Sequence, residues 1–166
     1  MKVPANAIRL RVDVQEEDAS RIFSGDLAKA CIGGASGNLF FIGLPGVGRR
    51  DLARASAGAL GLSFVDADSP HALKAALGSS GQAVAVTGVD LNDAVIQAMR
   101  SSGKVFYIMT AAAILAKRLG DVSRLAELAA EVERLEPVFM RAAHFIMPLA
   151  ATPEEMLDDV REKARL

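Results

Sequence analysis

The chain has 166 residues, 51% of them hydrophobic and 23% charged, and a formal net charge of −1. That is enough apolar material for one sizeable core, and too balanced a charge for a protein that holds nucleic acid by electrostatics. The single cysteine, Cys31, excludes an intramolecular disulfide and a cysteine-built zinc cluster; the N-terminus lacks the apolar stretch of a signal peptide and no apolar run approaches a membrane span, so a soluble cytoplasmic protein is expected.

In chain order, Ile8, Leu10, Val12 and Val14 alternate with Arg9, Arg11 and Asp13, the period of a half-buried strand. Residues 18–31 follow as a helix, and Gly33-Gly-Ala-Ser-Gly37 breaks it. Residues 1–37 therefore form a predicted βα extension ahead of a core domain at 38–166. In the core, Asn38 to Gly43 is an apolar run that reads as a buried strand, and Asp51 to Leu60 as a helix. Strands are predicted at 63–66, 82–87, 104–109 and 144–147. Helices are predicted at 70–77 with Ser69 as N-cap, at 91–100, 111–119 and 122–135, and at 153–163 with Thr152 as N-cap. Strands alternating with helices imply an α/β protein whose mostly parallel sheet is covered on both faces.

The motif with chemical content is Gly43-Leu-Pro-Gly-Val-Gly-Arg-Arg50. Its spacing is that of the P-loop, G-x-x-x-x-G-K-S/T, as far as the second glycine. Strand, glycine turn and helix follow in the order that lets backbone N–H groups close around a phosphate at a helix N-terminus. Arg49 then stands in the lysine position and Arg50 in the hydroxyl position. Arg49 keeps the charge but not the compact ammonium. Arg50 offers no oxygen to a metal and brings a cation to its place. Two unit charges about 4 Å apart interact by about 1 kcal/mol in water and about 4 kcal/mol at an effective dielectric of about 20; a divalent ion roughly doubles this.

From Asn38 to Asp68 the sequence resembles, without a gap, the shikimate kinase family within the nucleoside-monophosphate-kinase-like P-loop group. Asp66 and Asp68 fall on that family's D-x-D, and Arg54 on its helix arginine. Further on, Val105 to Leu119 resembles the strand and helix before the lid, and Pro137-Val-Phe139 a later family segment. The resemblance implies a three-layer αβα fold with a five-stranded parallel sheet in the order 2-3-1-4-5. It also implies a nucleotide or phosphate site at Gly43, Gly46, Val47, Gly48, Arg49, Arg50 and Asp51, with Arg118 on the adenine. In an active enzyme Arg49, Asp66 and Asp68 would carry catalysis. Several departures fall on function. Residues 69–87 contain no arginine and are too few for the family's substrate subdomain. The glycine triplet after the third strand is Gly88-Val89-Asp90, the lid is reduced to the region of Arg124, and a carboxylate-gripping arginine is Leu135.

Each candidate residue also has a plainer reading. Asp66 and Asp68 can be a solvated strand end with Asp68 helping to start the next helix, Asp90 a helix cap rather than a metal carboxylate, and Arg118 a solvated helix charge. His71 and His144, with no metal-ligand spacing around them, read as structural. Three functions follow. The first is a degenerate kinase-like protein that binds ATP, phosphate or another anion without Mg²⁺, holds no metal, and acts on a protein partner. The second is an active ATP-dependent small-molecule kinase using Arg49 for the missing lysine. The third is an interaction module that pairs with another protein or with a second copy of itself.

Overall fold

The computed structural model describes residues 37–150 and 152–166. The predicted N-terminal βα extension lies outside the described residues. Five strands form one parallel sheet: β1 (Asn38–Ile42), β2 (Ser63–Ala67), β3 (Gln82–Val86), β4 (Gly103–Met109) and β5 (Phe145–Pro148), in the order β2-β3-β1-β4-β5. The helices are α1 (Arg49–Leu60), α2 (Pro70–Leu77), α3 (Asp93–Ser102), α4 (Ala112–Leu119), α5 (Leu125–Ala142) and α6 (Pro153–Ala164), with a 3-10 turn at Val122–Arg124. The predicted α/β class and the strand order implied by the resemblance are both found.

The order explains the layers. The chain crosses from β1 past β3 to the edge strand β2, then turns back to β3. Right-handed crossovers in opposite directions put α1 and α2 on opposite faces. Accordingly α1 meets α6, while α3 meets α2 and α5. Strands β1 and β3 are buried along their whole length, which is why, after one polar first residue each, they read as apolar runs rather than alternating ones. The rings of Phe41, Phe106 and Phe145 sit in register across β1, β4 and β5 and stack with centroids 5.3 Å apart at each step.

One polar residue interrupts the apolar run of β1 and sets its start. Asn38 is fully buried, donates from Nδ2 to the Ser79 carbonyl at 3.0 Å and to Ser102 Oγ at 2.9 Å, and accepts from the Gln82 backbone N–H at 3.2 Å. A buried amide is retained only when its hydrogen bonds are met, and here they fasten the N-terminal ends of β1 and β3 to the loop at Ser79 and to the last residue of α3. The opposite, C-terminal edge of the sheet is where ligands of open α/β sheets gather, and the motif loop lies there.

Three local details differ from the sequence reading. Asn92, not Asp90, caps α3, accepting from the Val95 N–H at 2.9 Å. Ser69 alone caps α2, so Asp68 has no part in starting that helix. Helix α5 runs through Pro137 to Ala142 instead of stopping at Leu135. Proline forfeits one intrahelical hydrogen bond, and burial of Phe139 and Ala142 beyond it holds the continuation in place. Phe139 packs on Tyr107, ring centroids 5.0 Å apart. Among the described residues no helix is long and apolar enough to cross a membrane.

Candidate functional site

The loop from Gly43 to Gly48 joins the buried end of β1 to the first turn of α1. Gly46 (φ 97°) and Gly48 (φ 90°) adopt left-handed backbone conformations, which a side chain would strain. A Cβ on Gly46 would also lie 2.8 Å from Leu119 Cδ2, so the leucine side chain would have to shift to admit it. Gly48 occupies the N-cap of α1 and supplies no side-chain cap. The first-turn N–H groups of α1 thus point out of the loop without a capping oxygen, the geometry that receives an anion. Val47 is buried and anchors the loop from below, and Asp51 is exposed in the first turn, 3.7 Å from Arg54.

Arg118, at the end of α4, donates from Nε to the Gly46 carbonyl at 2.8 Å, and its Nη2 would lie 3.1 Å from a Cβ on Gly48. In this structure Arg118 therefore braces the loop, a role that neither its stacking nor its solvated reading anticipated. Its Nη groups remain at the loop mouth.

Arg49 and Arg50 turn toward the strand ends. Arg49 Nη1 donates to the carbonyl of Val86, the last residue of β3, at 2.7 Å. Burial, and then the neighbouring charge of Arg50, draw its pKa below the ordinary arginine value, while Asp66 opposes them. Arg50 Nε donates to Asp66 Oδ2 at 2.6 Å, and Thr87 Oγ1 donates to Asp66 Oδ1 at 2.9 Å. Each carboxylate oxygen of Asp66 thus has a donor from a different element. A guanidinium carries five N–H donors, so neither arginine is saturated by these contacts. The Arg50–Asp66 pair is solvent-facing, with side chains 57% and 29% exposed, and such pairs contribute about 0–1 kcal/mol. An incoming oxyanion can compete for Arg50 on those terms.

The structure brings Gly43, Gly46, Val47, Gly48, Arg49, Arg50, Asp66 and Arg118 to one end of the sheet. Asp68 is exposed beyond β2 and makes no side-chain hydrogen bond among the described residues. Gly88 is required for a different reason from the loop glycines: a Cβ there would overlap the Asp68 carbonyl oxygen, so the chain leaving β3 passes directly against the end of β2. Sequence reasoning passed over Thr87 and the Val86 carbonyl. The signal available was their place at the C-terminal end of a buried strand.

Beside the loop lies a cavity of about 280 Å³, bounded on one side by Leu44, Pro45 and Gly46. Its other wall comes from Leu119, from Arg124 at the end of the 3-10 turn, and from Glu127, Leu128 and Glu131 on α5. Arg124 is held by Glu127 at 3.1 Å, and hydrogen bonding to Glu127 raises its pKa.

No protein-family model matches the sequence, and no curated protein matches it. Solved structures do. A shikimate kinase from Bacteroides thetaiotaomicron superposes with a TM-score of 0.69 at 16% identity, over 78% of this chain and 98% of its own. A shikimate kinase from Acinetobacter baumannii, solved in complex with shikimate, gives 0.61 at 17% identity over 76% and 89%. A gluconokinase from Sinorhizobium meliloti 1021 gives 0.56 at 16% identity over 77% and 91%. What the chain shares with these enzymes is the α/β P-loop kinase-like fold, here with a five-stranded parallel sheet in the order β2-β3-β1-β4-β5.

Proposed function

We propose that this chain is a degenerate, shikimate-kinase-like P-loop protein. It binds ATP, phosphate or a similar anion at Gly43–Arg50, does not carry out Mg²⁺-dependent phosphoryl transfer, and acts in the cytoplasm by binding or regulating a protein partner. The observation that carries this reading is the 2.6 Å contact of Arg50 with Asp66.

The residues around the loop fit a phosphate and do not fit Mg²⁺. The loop has uncapped N–H groups at the start of α1, and Arg49, Arg50 and Arg118 around it each keep N–H groups beyond the one contact described. Donors on a preformed backbone bind an anion without reorganising. The oxygen ligands that a divalent ion would need are Asp66 and Thr87, and both are engaged: Thr87 donates its proton to Asp66, and Asp66 accepts from Arg50. A metal at Asp66 would have to expel a guanidinium from that carboxylate. Among the described residues no group of three or more His, Cys, Asp and Glu side chains offers another metal site. Phosphoryl transfer in P-loop enzymes rests on positioning and on metal electrostatics, so the substitution removes much of the catalytic power while leaving the cradle. If ATP is bound, it would supply the polyphosphate held there, and Arg49 and Arg50 would meet its charge.

Calorimetric titration with ATP, once in EDTA and once in excess Mg²⁺, tests this. Affinity should agree between the two within about threefold, under about 1 kcal/mol. A Mg²⁺ requirement of about tenfold or more would favour an active kinase with Arg49 in the lysine role. Absence of ATP and phosphate binding would favour the interaction module.

A further inference from the structure

Asp66 belongs to a two-point contact between α1 and β2. Arg50 and Arg54 lie about one turn apart on one face of α1, roughly 6 Å along its axis. Phe64 and Asp66 lie on one face of β2, roughly 6.6 Å apart along the strand. The two spacings nearly match, and the contacts are made in step: Arg54 sits over the Phe64 ring, 4.5 Å from its centroid, and Arg50 Nε donates to Asp66 Oδ2 at 2.6 Å. The carboxylate is held from its other side as well. Thr87 follows β3, its N–H donates to the Ala67 carbonyl at 3.0 Å, and its hydroxyl donates to Asp66 Oδ1 at 2.9 Å. Helix, edge strand and neighbouring strand together fix the direction in which Arg50 points.

That direction bears on the loop. Arg50 is the second residue of α1, among the uncapped N–H groups that follow Gly48. Asp66 offers it what a phosphate would offer, a pair of anionic oxygens, and offsets its charge while the contact lasts. The pair is solvent-facing and therefore exchangeable, but a ligand gains Arg50 only by displacing the carboxylate. With the carboxylate gone, the guanidinium is free and one like charge is removed from the surroundings of the ligand.

We infer that Asp66 is a positioning residue that withholds Arg50 from the loop, an internal competitor that lowers the affinity of Gly43–Arg50 for phosphate chains. This rests on the loop reading above and adds to it a built-in restraint on the same site. A carboxylate that held a metal for nucleotide would weaken binding when removed; a competitor strengthens it, so the sign of the change separates the two roles.

Calorimetric titration of tripolyphosphate in EDTA tests it, with the natural chain, Asp66→Asn, Arg50→Gln and the double variant, each as the full chain. Asparagine keeps an oxygen for Thr87 and presents no charge to Arg50. Asp66→Asn should bind about threefold to tenfold more tightly than the natural chain. That gain should exceed the gain from the same change in the Arg50→Gln background by at least about threefold. Equal gains in both backgrounds would make Asp66 a nearby charge that does not act through Arg50, and no gain, or a loss, would contradict the competition itself; each overturns the inference. The Arg50 Nε–H resonance of the natural chain gives a reading that needs no variant to fold. Tripolyphosphate should shift it together with the Gly46 and Gly48 amides, and an unmoved Arg50 resonance beside shifting amides overturns the inference. Binding by the natural chain with no gain in Asp66→Asn removes this inference alone; binding by neither removes the loop reading with it.

Discussion

Asp66 accepts from Arg50 and from Thr87, and Arg49 reaches the last carbonyl of β3, so the start of α1 is tied to the ends of β2 and β3 by side chains alone. In a metal-dependent P-loop the hydroxyl and the acidic residue are bridged through the ion; here a guanidinium lies between loop and carboxylate. The replacement of both chemical residues was legible in the motif itself, and the position of Asp66 at a strand end was legible from the D-x-D spacing. The contact between Arg50 and Asp66 was not, because it depends on which way two long side chains turn once α1 packs on β2 and β3. Gly88 was legible only as a departure from a glycine triplet, whereas the crowding that requires it is a tertiary fact. Gly88→Ala must push the Asp68 backbone aside. Overpacking of this kind costs about 1–3 kcal/mol, and urea denaturation should show a loss of that size with an unchanged slope.

At the scale of elements, most helices and strands follow from local signals. Buried runs of apolar residues mark β1 and β3. Thr152 closes a reciprocal capping box with Glu155 at the start of α6, the Glu155 N–H donating to Thr152 Oγ1 and the Thr152 N–H to Glu155 Oε1, both at 3.2 Å. Helix α6 packs on α1 and buries Met156 and Val160, so its start bears on the layer that carries the loop. Thr152→Ala should lower stability by about 1 kcal/mol, read as a fall in Tm of about 2–8 °C; no change would mean that the cap is frayed in solution. The elements that local signals misplace are those decided by packing. Asn92 rather than Asp90 caps α3, and α5 continues past Pro137 because Phe139 has Tyr107 to pack against. Propensity at a proline points the other way, and tertiary burial wins.

For the molecule as a whole, the strand order could be expected because the Asn38–Asp68 resemblance is to a known topology; alternation of elements alone leaves several orders open. The core also sets a pH window. Tyr107 lies within it, and burial, with Glu136 second, pushes its hydroxyl from 10.0 up to about 12. Its folded pKa is raised, so its contribution is complete below about 10 and is lost as pH climbs through about 12. His144 accepts the Val105 N–H on Nδ1 at 3.0 Å, and partial desolvation followed by Arg100 and Lys104 draws its pKa below 6.5. The unfolded chain then takes up that proton first, so stability is complete above about 6.5 and falls as pH drops below it. Urea midpoints measured across pH should form a plateau between these limits. Tyr107→Phe should flatten the alkaline limb and His144→Asn the acid one; limbs unchanged in both variants would place the titrating groups elsewhere.

The account turns on Arg50 standing where a metal would be held. The most direct measurement is the ratio of ATP affinities with and without Mg²⁺, compared between the natural chain and Arg49→Lys with Arg50→Ser. A ratio near one in the natural chain, rising by about tenfold or more in the double variant, is the expected result. A natural chain that already needs Mg²⁺ for ATP, or that binds neither ATP nor phosphate while the variant does no better, would contradict it.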